Sequence, residues 1–245
     1  MTEKLSDEFA VRCRAVEENL RVIEERIASA AAQSGRKPEE IILLAASKTV
    51  PAEVVNHAIA CGVRYIGENR VQELLGKYDA LNRADCHVHL IGHLQTNKVR
   101  QVVGKVEMIE SVDSVRLAWE IGRLSAERNL VTDLLLEVNI GREENKSGVL
   151  PEALDELLDE TAEIDGVRVR GLMAIPPICE SESEIRGYFS EMYKLFIDIK
   201  AKKLDNVFMD FLSMGMSGDY PQAILEGANL VRVGSALFGA RDYHK

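Results

Sequence analysis

The chain has 245 residues, 46% of them hydrophobic and 29% charged, with a formal net charge of −10. This size and apolar share suit one soluble globular domain with a full core. The acidic balance argues against a dedicated nucleic-acid binder, which carries a basic face, and no stretch approaches the roughly 20 apolar residues that span a membrane.

The elements follow in chain order. Residues 3–33 predict one long helix, because Val11, Ala15, Val16, Leu20, Ile23 and Ile27 recur at helical spacing. Gly35 and then Pro38 mark its stop. Residues 41–48, IILLAASK, form an apolar run without alternation, as expected of a parallel strand buried on both faces. Pro51 opens the next helix, which ends at Gly62. The unit then recurs: strands are expected at 65–69, 87–94, 108–114, 133–141, 167–176, 206–215 and 230–239, each of the first five followed by a helical pattern, the sixth by DYPQAILEGA, and the last closing the series.

Eight strands separated by crossovers of helical length imply a parallel sheet that closes on itself, a (β/α)8 TIM-type barrel. No eighth crossover helix follows the last strand, so the N-terminal helix is expected to fill that place in the outer ring. The expected organisation is one domain over 1–245, with the added helix at about 3–33 and the barrel at about 41–240. A doubly wound open sheet is the fold alternative. No G-x-G-x-x-G follows the first strand, which counts against a dinucleotide site. Cys13, Cys61, Cys86 and Cys179 make no C-x-x-C pair, so neither a zinc nor a dithiol site is indicated by spacing. With a charged N-terminal segment and no apolar signal, a cytoplasmic protein is expected.

Active sites of such barrels lie at the C-terminal ends of the strands, and the polar residues of this chain gather there. Lys48 closes the first expected strand, Glu68 and Asn69 the second, His93 the third, Asp113 the fourth, Asn139 the fifth and Ser213 the seventh, while Arg232 and Ser235 lie on the eighth. An amine emerging from the apolar wall IILLAAS is partly desolvated, which favours the neutral form that attacks a carbonyl. That chemistry serves an aldolase or a pyridoxal phosphate site equally well. Phosphates in this fold bind at the loops after strands seven and eight. There the chain reads SMGMSGD (213–219) and RVGSALFG (232–239), whose small residues let backbone amides approach an anion and whose Ser213 and Ser235 add hydroxyls. His87 and His89 share a strand face, as metal ligands can. Few further ligands accompany them, so no metal is expected and His89 reads as a hydrogen-bonded core residue. Met214 reads as packing, with the option of lying beside a flat ring.

Nearly end to end, the chain resembles the YggS/PROSC family, the pyridoxal phosphate homeostasis proteins. The motifs are LLAASKTVP (43–51), IGENRVQE (66–73), HLIGHLQTNK (89–98), SVDS (111–114), VNIGREENKSG (138–148), GLMAIPP (171–177), LSMGMSGDYPQAI (212–224) and VRVGSALFGARDY (231–243). His87 departs from the aromatic residue frequent in the family. The resemblance implies pyridoxal 5'-phosphate as cofactor and Lys48 as its Schiff-base lysine. It places Arg232 against the pyridine nitrogen, Ser213, Met214, Gly234 and Ser235 around the phosphate, and Asn69 near the ring or the lysine. It also implies a likeness to the barrel of alanine racemase, the fold-type III enzymes.

A carrier of cofactor, without established catalytic residues, is the leading expectation. Arginine is effectively always protonated and cannot accept a second proton, so a pyridine nitrogen facing it is expected to stay unprotonated and accept a hydrogen bond. The pyridine facing it is a weaker electron sink than one held by a carboxylate. A weak amino-acid racemase is the alternative and would need a second base, for which Tyr220 is the one tyrosine near a mouth. A class I aldolase is the third reading and would need Glu68 as its acid. The expected partners are the small-molecule cofactor and apo-enzymes that take it up, with no nucleic acid and no membrane, and the protein is expected to be a monomer.

Overall fold

A computed structural model describes residues 2–239, with side chains described from residue 9 onward. Residues 240–243, the end of the last quoted motif, lie outside that range. The strands are β1 (Ile42–Ala46), β2 (Tyr65–Glu68), β3 (His87–Leu90), β4 (Met108–Val112), β5 (Thr132–Val138), β6 (Val167–Ala174), β7 (Val207–Met216) and β8 (Leu230–Val233). They pair in sequence order and close, β8 onto β1, into an all-parallel barrel. The open-sheet alternative is thereby excluded.

The helices are α1 (Thr2–Gln33), α2 (Ala52–Ala60), α3 (Val71–Lys77), α4 (Val99–Val102), α5 (Val115–Glu127), α6 (Leu154–Ala162), α7 (Glu182–Lys202), α8 (Tyr220–Leu225) and α9 (Ser235–Phe238). α1 packs on α8, α9 and α2, which is the eighth place in the outer ring. Its buried stripe of Val16, Leu20, Ile23, Ile27 and Ala31 joins the core between strands and helices. Of the positions whose helical spacing the sequence shows, Val16, Leu20, Ile23 and Ile27 form the face that seals the barrel, whereas Val11 and Ala15 are exposed.

Inside the barrel, Leu44, Ala46, Ile91 and Leu230 form one cluster, and Met108, Leu135 and Met173 another. Successive strand residues point to opposite faces, so inward positions on β1 are Ile42, Leu44 and Ala46, and Lys48 continues that parity. Gly67 belongs to the inward set of β2, where a Cβ would stand 2.4 Å from Leu44 Cδ2.

Several ends differ from expectation: β3 stops at Leu90, short of His93, and β5 at Val138, just before Asn139. β1 stops at Ala46, although the Ser47 amide still donates to the Gly67 carbonyl at 2.9 Å; Lys48 and Thr49 form the turn beyond it. β7 runs on to Met216, so Ser213 lies within the strand rather than at its end. Ser235 opens α9 rather than lying on β8. In each case the hydrogen-bonded ladder, which the apolar pattern does not reveal, decides where the strand ends.

Candidate functional site

The mouth at the C-terminal ends of the strands carries Lys48. The turn that holds it is built from below. Lys77, at the end of α3, places its ammonium 2.7 Å from Glu68 Oε1 and donates to the carbonyls of Ser47 and Val50, each at 2.8 Å. Ser47 Oγ donates to the same Glu68 oxygen at 2.5 Å, and the Thr49 amide donates to Glu73 Oε2 at 3.0 Å. Glu68 is fully buried and faces α3, on the opposite parity from Lys48. It therefore belongs to the support of the turn and is turned away from the position an aldolase acid must hold. Asn69 follows directly, clasped by the chain after β3: a Cβ on Gly92 would stand 2.3 Å from its carbonyl oxygen.

A second polar assembly crosses the barrel interior. His89 Nδ1 lies 2.6 Å from Glu110 Oε1, Ser213 Oγ donates to Glu110 Oε2 at 2.6 Å, and Arg232 Nη1 donates to Ser213 Oγ at 2.5 Å. Arg232 Nη2 donates to the Ala174 carbonyl at 2.9 Å. One chain of contacts thus joins β3, β4, β7, β8 and the end of β6. The pairing of β4 with β5 shifts register between Ile109 and Val112, and that of β7 with β8 between Ser213 and Met216. Such irregularities re-aim side chains, and here they fall where Glu110 and Ser213 turn inward.

All four members of this assembly are buried. Burial alone would raise the Glu110 carboxyl, but the hydrogen bond and charge of His89, with Arg232 and Ser213, hold it below the usual carboxylate range. Burial lowers Arg232, opposed by the charges of Glu110, Glu137 and Asp219. Guanidinium nonetheless stays charged in proteins, and its five donors exceed the two contacts described above. Glu137, on β5, is only 6% exposed, and its pKa is pushed up to about 7 by burial and then by the charge of Asp113.

The segment after β7 meets the segment after β8 through Ser217. Its hydroxyl oxygen accepts from the amides of Gly234 at 3.1 Å and Ala236 at 3.2 Å. Two adjacent amide donors therefore converge on a single oxygen, the arrangement an anion's oxygen can also satisfy. Gly234 packs with its α-carbon against β1, where a Cβ would meet the Ala46 carbonyl at 3.1 Å. Leu44 pairs with Arg232 and Ala45 with Val233, so Lys48, Arg232 and this turn stand on adjoining strands.

Not every expected residue joins the mouth. Met214 is fully buried in the core between strands and helices, one position out of phase with Ser213, so its backbone rather than its thioether belongs to the mouth. Asn139 staples its own loop, donating to the Glu143 carbonyl at 2.8 Å and accepting from the Glu143 amide at 3.2 Å. His93 is exposed, 3.8 Å from Asp113. Tyr220 is 1% exposed and packs in the core between strands and helices. Glu110, Glu137, Lys77 and Ser217 were not singled out from sequence as site residues. A glutamate in the middle of the apolar runs MIESV and LLLEV is the signal that marks the first two.

Pyridoxal 5'-phosphate asks for an amine toward its aldehyde, a donor toward its ring nitrogen and amides toward its phosphate. Lys48, Arg232 and the Ser217–Gly234–Ala236 turn match these needs in kind. Buried oxygens without a hydrogen-bond partner among the described residues, Asn69 Oδ1 and Glu137 Oε2, lie at the ends of β2 and β5 on the same rim. A cleft of about 680 Å³ at the opposite end, lined by Leu20, Ile27, Ile42, Val63 and Tyr65 among others, brings together no such donor set.

The family described as the alanine racemase N-terminal domain matches residues 11–242. A pyridoxal phosphate homeostasis protein of Aquifex aeolicus is 47% identical over 226 residues, covering 92% of this chain and 98% of its own. A protein of unknown function from Bifidobacterium adolescentis superposes with a TM-score of 0.88 at 39% identity, covering 93% of this chain and 96% of its own. PipY of Synechococcus elongatus, solved with PLP bound, superposes with a TM-score of 0.77 at 36% identity, covering 89% of this chain and 100% of its own.

Proposed function

The chain belongs to the pyridoxal phosphate homeostasis proteins, within the alanine racemase N-terminal domain family, and on that premise we propose that it binds pyridoxal 5'-phosphate at the barrel mouth and takes part in keeping the cofactor's level in the cell. Bound there, the cofactor supplies an aldehyde that an amine can hold covalently and an aromatic ring that can accept electrons. Lys48 is the tether. Arg232 faces the ring nitrogen, Asn69 borders the ring, and Ser213 sets the Arg232 guanidinium. The backbone of Met214, Gly234 and Ser235 surrounds the phosphate. The barrel acts as one cofactor-binding domain, as a monomer in the cytoplasm, delivering cofactor to apo-enzymes that depend on it.

One observation carries this reading: the lysine at the end of β1 stands beside the strand that carries Arg232, in a chain whose relative was solved with PLP bound. A carrier rather than a catalyst is favoured because Tyr220, the tyrosine considered as a second base, is buried away from the mouth. Arg232 also leaves the ring a weak electron sink. Two measurements test this. Loaded protein mixed with an apo-enzyme that requires pyridoxal phosphate is expected to restore its activity. Single-enantiomer amino acids held with the loaded protein in deuterated water are expected to take up no deuterium at Cα. Failure of transfer would overturn the carrier reading, and steady deuterium uptake would favour the racemase.

A further inference from the structure

α1 lies against α2 on the outside of the barrel. α1 carries Cys13 and Glu17, and the α2 segment carries His57 and Cys61, each pair four residues apart and so on one helix face. The two faces meet. His57 Nε2 is 2.8 Å from Glu17 Oε1 and 3.6 Å from Cys61 Sγ, and the three donor atoms all lie within 4.8 Å of one another. No linear motif announces this set, because Glu17 and His57 come from two helices and stand 40 residues apart in the chain.

We propose that Glu17, His57 and Cys61 form a binding site for a zinc-class divalent cation that pins α1 to α2. One carboxylate oxygen, one imidazole nitrogen and one thiolate sulfur make a donor set of the borderline softness such ions select. Tetrahedral zinc, with bonds of roughly 2.0–2.3 Å, holds its donors roughly 3.4–3.6 Å apart. The His57–Cys61 separation already has that value, and Glu17 needs to withdraw by roughly half an ångström, which a side chain 54% exposed can do. A plain Glu17–His57 ion pair at the surface contributes little by itself and gives no reason for a thiol beside it.

Glu17 brings a carboxylate to the cluster, its oxygen 2.8 Å from the imidazole nitrogen of His57. On binding, the Cys61 thiol gives its proton to solvent and its sulfur forms the bond to the metal. The fourth position falls to water.

The test uses the reduced full chain, stripped with a chelator and given one equivalent of zinc. Retention of one zinc per chain is expected, with X-ray absorption showing sulfur at about 2.3 Å and nitrogen or oxygen at about 2.0–2.2 Å. Zinc is expected to raise the melting temperature. Cys61→Ser removes the sulfur distance, and both Cys61→Ser and His57→Gln weaken binding by at least about 100-fold, more than the loss of an outer-shell partner does, and abolish the melting shift. Circular dichroism of the variants without zinc is expected to match the parent. A first shell of oxygen and nitrogen alone overturns the proposal. So does zinc retention that neither substitution diminishes.

Discussion

Lys77 and Glu68 form an ion pair of 2.7 Å that is almost closed to solvent, with side chains 12% and 0% exposed. The same ammonium holds the carbonyls of Ser47 and Val50, which bracket Lys48 and Thr49. Its three donors are thereby used in full, and Thr49 is kept in the left-handed region at φ 64°. Lys77 is thus a positioning residue for Lys48. Lys77→Met leaves a buried carboxylate without its cation, and a loss of about 3–5 kcal/mol is expected in urea unfolding. Adding Glu68→Gln is expected to restore part of it. In the single variant, cofactor affinity measured by titration is expected to fall as the turn loosens. Unchanged affinity in a destabilised protein would contradict the positioning role.

Ser213 relays between Arg232 and Glu110. Ser213→Ala removes the hydroxyl and strands one oxygen of a buried carboxylate, at a cost of about 1–3 kcal/mol. Ser213→Thr keeps the hydroxyl and is expected to lose less. Thermal melts of the pair check this, and equal losses would mean that the hydroxyl does not matter.

Glu137 gives the fold a pH dependence of definite sign. Its folded pKa stands at about 7 against an ordinary 4.5, so the folded chain holds this proton more tightly than the unfolded one. The resulting stabilisation is full below pH 4.5 and is lost as pH rises through about 7. It amounts to about 3 kcal/mol at roughly 1.4 kcal/mol per pH unit. Glu110 acts with the opposite sign, since its depressed carboxyl adds stability above the ordinary carboxylate range that is lost in acid. Glu137→Gln removes only the first effect. Urea unfolding from pH 4.5 to 7.5 is expected to show a smaller decline in the variant than in the parent. A decline of equal size in both would contradict it.

Gly92→Ala places a methyl 2.3 Å from the Asn69 carbonyl oxygen and 2.8 Å from its Cα. Backbone cannot move aside as a side-chain tip does, so a loss of about 1–3 kcal/mol is expected. Weaker cofactor binding is expected with it, because Asn69 shifts. Gly76→Ala on α3, where a Cβ meets nothing within 4 Å, is the control and is expected to bind normally.

Much of this was legible in the sequence, for physical reasons. A parallel strand buried on both faces must be apolar throughout, and IILLAA shows it. The stripe on the N-terminal helix has one period and one use. What stayed hidden depends on register. Ser213 and Met214 are neighbours in sequence but point to opposite sides of the barrel wall, and only the ladder decides which one faces the axis. A lysine at a helix end is ordinarily solvated, so nothing in the sequence marks Lys77, and the strand-end position of Glu68 suggests a mouth residue rather than the support it is. Ser217 is one small residue among several in SMGMSGD, and its two amide contacts come from positions 17 and 19 residues later.

Lys48 is expected to hold pyridoxal phosphate covalently at the mouth. Protein incubated with pyridoxal phosphate, reduced with borohydride and digested is expected to yield one dominant modified peptide, that of Lys48. Lys48→Ala is expected to lose both that peptide and the visible absorbance of the loaded protein. Stoichiometric labelling at another lysine, or full labelling that survives Lys48→Ala, would contradict the account.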